Sequence, residues 1–218
     1  KVIRQMGQAA KAAGVTVVTG DTKVVPKGAA DKIYINTAGI GVIPEHVHVS
    51  GGNARPGDAV ILSGTMADHG MTILTQREGL AFETPIESDT APLNGLAAAM
   101  LDVGGEAVHA LRDPTRGGLA AVLNELAQDR PFGVAVREAD IPVATGTRAA
   151  CELLGIDPLH AACEGRVVLV CAADAAEPIL AAWRALPEAT SSWSTTTRQT
   201  ASATTSECVQ GSRSFCFG

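Results

Sequence analysis

Apolar positions along the chain follow two rhythms. Near the start, Val2, Ile3, Met6, Ala9, Ala10 and Ala13 recur at helical spacing, and Gly14 follows as a stop. The spacing predicts a helix over residues 2–13. Residues 15–18 form a short β-prone run, broken by the turn Gly20-Asp21-Thr22-Lys23 ahead of Val24-Val25. Residues 32–36 predict a second strand, followed by glycine-punctuated apolar sequence over 38–43. Residues 44–56, with Gly51-Gly52-Asn53, read as a linker.

A second block begins at Gly57-Asp58. Residues 59–62 are a continuous apolar strand, and Ser63-Gly64-Thr65 turns the chain into a helix over 68–77. Further helices are expected at 93–101, 118–128, 148–154 and 175–186. Strands are expected at 108–111, 134–136 and 167–171. Strands alternating with helices predict an α/β (α+β) fold. From about Glu188 both rhythms stop. Of the 30 residues 189–218, 14 are Ser or Thr, and none is Leu or Ile. Such a segment buries too little apolar surface to offset its ordering entropy, so residues 188–218 are expected to form a disordered tail.

Composition narrows the function classes. The net charge of −6 over 218 residues disfavours a nucleic-acid surface, which needs clustered Lys and Arg. No apolar run approaches the roughly 20 residues of a membrane helix, and no secretory pattern opens the chain. Five cysteines without CxxC spacing point to a reducing, cytoplasmic setting and away from structural zinc. Aromatics are only 3%, which leaves the core to Ala, Val, Leu and Ile. The chain opens at Lys1 directly in helical pattern, and an N-terminal portion is expected to precede it.

Three stretches combine residue types suited to phosphate chemistry. In Arg112-Asp113-Pro114-Thr115-Arg116-Gly117-Gly118, Asp113 and Thr115 are potential caps of the following helix, and Gly117 and Gly118 allow close backbone approach. A helix N-terminus beside Arg116 is an anion site, and Asp113 is a candidate Mg²⁺ ligand. The plain alternative is a well-capped helix. In the Gly20 to Lys23 turn, Asp21 and Lys23 could serve metal and phosphate, or form an exposed incidental pair. In Cys163-Glu164-Gly165-Arg166, Glu164 is a candidate general base, or a surface residue paired with Arg166. In Ser63 to Gly70, Thr65 or Asp68 is expected to cap the next helix, as is Asp89 or Thr90 farther on.

In order, these segments resemble a known family. Gly20-Asp21-Thr22-Lys23, Asn36-Thr37-Ala38-Gly39-Ile40-Gly41, Asn53-Ala54-Arg55-Pro56-Gly57-Asp58, Asp68-His69-Gly70, Arg77-Glu78-Gly79-Leu80, Ser88-Asp89-Thr90-Ala91-Pro92-Leu93, the Arg112 to Gly118 turn and Glu164-Gly165 together resemble the HypE hydrogenase maturation factors, the carbamoyl dehydratases. The likeness covers about residues 1–187. It implies a PurM-like two-domain architecture, related to aminoimidazole ribonucleotide and selenophosphate synthetases. Residues 1–50 would end an incomplete, dimerising N-terminal domain, and 54–187 would form the C-terminal domain.

The resemblance also implies a reaction. A carbamoyltransferase partner of the HypF type loads a carbamoyl group on a C-terminal cysteine. ATP with Mg²⁺ activates the amide oxygen, and loss of proton and phosphate leaves a thiocyanate. The cyano group then passes to a HypC–HypD type iron-carrying complex for [NiFe]-hydrogenase. On this likeness Asp21 and Lys23 belong to the ATP and metal site, Glu164 is the base, working with Lys23, and Asp113, Thr115, Arg116, Gly117 and Gly118 border the cleft. Departures are Cys163, where a polar residue is expected, and the ending Ser214-Phe215-Cys216-Phe217-Gly218 in place of Pro-Arg-Ile-Cys. Cys216 is not matched to the substrate-carrying cysteine, and a reading-frame change near Glu188 is the expected cause. The alternatives are an inactive truncated product and another PurM-like ATP-dependent enzyme.

Overall fold

The computed structural model describes residues 1–30, 32–80, 82 and 85–186, and the backbone of 198–202 and 214–217. It divides into two units, Lys1–Glu45 and His46–Gly218. The boundary falls inside the predicted linker. Part of that linker is built into the second unit. Ser50 caps a short 3-10 turn, Gly51–Asn53, and its backbone N–H donates to the His109 carbonyl at 2.9 Å.

The first unit contains helix α1, Val2–Ala12, as the spacing predicted. The strands expected at 15–18 and 32–36 are not formed. A strand exists through pairing, and among the described residues these segments find no ladder. Val17, Val18, Ile33 and Tyr34 stay exposed there despite their β-propensity.

The second unit alternates β1 (Ala59–Leu62), α2 (Asp68–Arg77), α3 (Asn94–Gly104), β2 (Val108–Arg112), α4 (Gly118–Ala127), β3 (Gly133–Arg137), α5 (Thr145–Leu154), β4 (Val168–Cys171) and α6 (Ala176–Arg184), then β5 (Arg198–Ser202) and β6 (Ser214–Phe217). The strands form one sheet in the order β2-β4-β1-β5-β3-β6, with antiparallel pairs throughout. Strand–helix alternation in sequence fixes the order of elements but not strand direction.

The tail is a correction. Residues 198–202 and 214–217, expected to be disordered, are strands, and β5 lies between β1 and β3. Apolar periodicity measures burial of side chains, whereas sheet pairing uses backbone groups that any non-proline residue carries. β1 and β3 each present an edge whose N–H and C=O groups need partners. The rest of the expected tail, with its proposed frame change, lies outside the described residues.

The continuous apolar run of β1 reflects burial on both faces. Val60 and Leu62 join Val168, Val170 and the α4 residues Leu119, Val122 and Leu123 in one core. Ala59 and Ile61 join Leu169, α3 residues Leu96 and Met100, and α6 residues Ile179, Leu180 and Trp183 in the other. The Trp183 indole N–H donates to the Leu96 carbonyl at 3.1 Å, tying α6 to α3. At the start of β1, buried Asp58 meets the His109 ring of β2 at 2.8 Å and accepts the Arg55 N–H. A third cluster packs Met71 of α2 on Ala150 and Cys151 of α5. It fixes the α2 N-terminus, from which the site is built.

Candidate functional site

The strand-to-helix turn after β2 lies where the sequence placed it. Its chemistry differs from the expectation in two respects. Helix α4 begins at Gly118 with Gly117 as its N-cap, and no side chain caps it, so Asp113 and Thr115 are not its caps. The Thr115 hydroxyl instead faces the Cys163 carbonyl at 3.2 Å, while the Cys163 N–H donates to the Pro114 carbonyl at 3.0 Å. These two bonds fasten the turn to the Cys163-Glu164 segment. The close approach that needs glycine at 118 is internal. A Cβ there, at φ +64°, would stand 2.4 Å from the Leu159 carbonyl oxygen.

Asp113 is partly exposed, and Arg112 bridges it at 2.6 Å while also reaching Glu125 at 3.0 Å. Burial pushes the Asp113 carboxyl up. Thr115, its own backbone N–H and Arg112 outweigh that and hold it below the ordinary carboxylate value. Thr115 has one hydroxyl proton to share between Asp113 and the Cys163 carbonyl. Asp113 is therefore ionised at neutral pH, as a Mg²⁺ ligand must be. Among the described residues no group of three or more His, Cys, Asp or Glu converges as a metal cage. A donor set of single carboxylates suits Mg²⁺, which draws its other ligands from phosphate and water. Arg116 and Gly117 are exposed on the same turn.

Glu164 stands on the turn before β4 with its side chain about one-third exposed. Its backbone is held from beneath. Buried Asp89 accepts the Glu164 N–H at 2.8 Å and the Gly165 N–H at 3.3 Å through one carboxylate oxygen. Gly165 has no room for a side chain, since a Cβ would lie 1.9 Å from the Asp89 carbonyl oxygen. Asp89 is thus an anchor of this turn, and neither it nor Thr90 caps α3, whose N-cap is Leu93.

Arg166 is not the partner of Glu164. It is buried, donating to the Thr65 carbonyl at 2.9 Å and hydroxyl at 3.2 Å, and facing Asp68 at 3.7 Å. Asp68 also accepts from Thr65 and from Thr147. The α2 N-cap is Ala67, at φ +75°, without a side-chain bond, so Thr65 and Asp68 make a buried ionic knot and not a cap. The knot leaves Glu164 unpaired with Arg166 and turned toward His69, whose Nε2 lies 3.8 Å from Oε1.

His69, Ser88 and Asp89 were given no chemical role by sequence reasoning. The only signal was their place in segments that resemble the family. Asp21 and Lys23 lie in the first unit, exposed on irregular backbone, with the Asp21 carboxylate accepting the Thr22 N–H at 2.7 Å. Cys163, the departure from the family pattern, is buried and accepts the Ala67 N–H at 3.2 Å. Burial pushes its thiol up to about 12, so it is no nucleophile.

Residues 55–203 match the family described as AIR synthase related protein, C-terminal domain. The chain is 52% identical over 186 residues to a carbamoyl dehydratase HypE of Bradyrhizobium diazoefficiens, covering 85% of this chain and 54% of that relative. It is similar to HypE in a HypE–HypF complex, with a TM-score of 0.85 at 45% identity over 93% of this chain and 65% of that one. It is also similar to HypE in complex with ATP, with a TM-score of 0.77 at 41% identity over 92% of this chain and 58% of that one. The chain spans about half the length of the curated relatives it matches. Fold, order of segments and these matches agree: the chain belongs to the HypE family of hydrogenase maturation proteins, within the PurM-like, AIR synthase-related superfamily.

Proposed function

We propose that this chain carries the base-bearing part of an ATP-dependent carbamoyl dehydratase, with Glu164 as the base. The observation that supports this reading most is the setting of Glu164. Its carboxylate is accessible, its backbone is anchored by Asp89, and its turn is bonded to the Asp113 to Gly118 turn. A carboxylate for proton abstraction and a phosphate-suited turn then border one surface.

The substrate is a thiocarbamate, a carbamoyl group on a C-terminal cysteine sulfur supplied by a carbamoyltransferase of the HypF type. Phosphoryl transfer from ATP to the amide oxygen converts a poor leaving group into a good one. Glu164 accepts one N–H proton as the C=N bond forms. The second N–H proton leaves with phosphate as the nitrile forms, giving thiocyanate, ADP and phosphate. Lys23 of the first unit is the proposed cation for phosphate. Asp113 in the second unit and Asp21 in the first are each proposed as Mg²⁺ ligands, and the ion would neutralise phosphate charge when bound. Arg116 and the Gly117-Gly118 backbone add positive potential at the cleft edge. The cyano group would pass to a HypC–HypD type iron complex, and the active form would be a homodimer in the cytoplasm. No described helix is long and apolar enough to cross a membrane.

The test is incubation with ATP, Mg²⁺, carbamoyl phosphate and the carbamoyltransferase, for this chain and for a form extended to its relatives' length. ADP release with loss of water from the carbamoylated cysteine supports the reading. Phosphorylation of a free small molecule in its place would reassign the chain to another PurM-like chemistry.

A further inference from the structure

The side chain of Glu164 is approached by a second set of polar groups that the reaction scheme does not yet use. His69, on the first turn of α2, sits between Glu164 and Ser88. Its Nδ1 is 2.9 Å from the Ser88 hydroxyl, and its Nε2 is 3.8 Å from Glu164 Oε1. The Ser88 hydroxyl lies 2.8 Å from the Thr90 hydroxyl and accepts the Thr90 backbone N–H at 3.2 Å.

Two proton arrangements satisfy this row, and one of them runs toward Glu164. The Ser88 oxygen already accepts the Thr90 N–H and can accept the Thr90 hydroxyl proton. Its own proton is then available to His69 Nδ1. An imidazole that accepts at Nδ1 carries its proton on Nε2, the nitrogen that faces Glu164. With that arrangement each donor in the row Thr90, Ser88, His69 points toward the carboxylate, and the carboxylate facing Nε2 favours it over the reverse row, in which His69 Nδ1–H donates to Ser88 and Ser88 to Thr90. The 3.8 Å separation is longer than a hydrogen bond and is the kind of gap that closes when substrate engages. Among the described residues Glu164 is the one carboxylate within ion-pairing reach of the ring. The neighbouring acids are engaged elsewhere, Asp68 with Thr65, Thr147 and Arg166, and Asp89 with the Glu164 and Gly165 amides.

We propose that His69 is a positioning residue for Glu164. It presents Nε2–H to one carboxylate oxygen and so leaves the other oriented toward the amide proton. Residues 88–90 control the base twice: Asp89 fixes its backbone, while Ser88 and Thr90 set the tautomer of the ring that orients its side chain. The proposal rests on the reading of Glu164 as the base.

Two measurements test it. In this chain, long-range proton–nitrogen correlation of the imidazoles reports the neutral tautomer of His69. Nε2–H is expected, with a shift toward mixed tautomers in Ser88→Ala. A wild-type ring protonated on Nδ1 overturns the proposal. In the extended, carbamoylated form, His69→Ala is expected to lower kcat about tenfold to a hundredfold, with the KM for ATP within about twofold. His69→Gln, whose amide N–H stands near the Nε2 position, should recover part of that loss. A full rate in His69→Ala, or no recovery in His69→Gln, overturns the proposal. Glu164→Gln in the same assay separates the two ideas. An inactive Glu164→Gln beside a fully active His69→Ala removes the His69 role alone, whereas a fully active Glu164→Gln removes the base and this proposal with it.

Discussion

At the residue scale, the site is organised by two buried carboxylates, Asp68 and Asp89, whose local sequence predicts helix caps. Asp68 is the more heavily used, accepting from Thr65 and Thr147 and facing buried Arg166. Removing one member of a buried, hydrogen-bonded charge pair leaves the other uncompensated. Asp68→Ala is therefore expected to cost about 3–5 kcal/mol, read as a fall in the urea midpoint at constant m. Cys163 gives a pH-dependent counterpart. Burial raises its folded thiol to about 12, above the unfolded value of roughly 8.5. A raised group contributes fully below its unfolded value and loses that contribution as pH climbs toward the folded one. The stability difference between wild type and Cys163→Ala should hold from pH 6 to 8. It should then move against the wild type by about 1.4 kcal/mol per unit between pH 9 and 11. A flat difference across that range would mean the thiol is not buried as described.

At the element scale, the junction of β2 and α4 is the most exacting. Gly118 combines a positive φ with a backbone approach to Leu159 and Ala161. Gly118→Ala should cost about 3 kcal/mol by forcing the turn off the 159–161 segment. Thermal unfolding measures that loss, and a variant as stable as wild type would show that the contact is not there. Much of this scaffold was legible in the sequence. The strand at 59–62 and the helix at 68–77 have the predicted bounds, and the other helices and strands predicted between residues 90 and 186 differ only at their ends, because continuous or periodic apolar runs report burial directly. What was hidden had one physical cause: it depended on pairing between distant residues. β5 and β6 use backbone groups, the segments at 15–18 and 32–36 lack a described ladder, and Asp89 finds its partners 75 and 76 residues away. Glu164, Asp113 and Thr115 stand out in the sequence by residue type and segment order. Their supports, His69, Ser88 and Asp89, do not, since a short polar residue at a turn has the same local signature whether it caps a helix or anchors a remote loop.

At the largest scale, the second unit is a six-stranded antiparallel sheet with helices on both faces and a rim that carries Glu164 and the Asp113 to Gly118 turn. The sheet and its two cores hold β2 and β4 in register, and the turns at their ends therefore meet in fixed geometry. Such rigidity suits the proposed dehydration, in which charge would develop on phosphate. The most direct measurement is the single-turnover rate of ATP-dependent water loss from the carbamoylated cysteine, followed by intact mass for wild type and Glu164→Gln. The expected outcome is a fall on the order of a hundredfold to a thousandfold, with ATP affinity within about twofold. A Glu164→Gln variant that forms thiocyanate at the wild-type rate would contradict it.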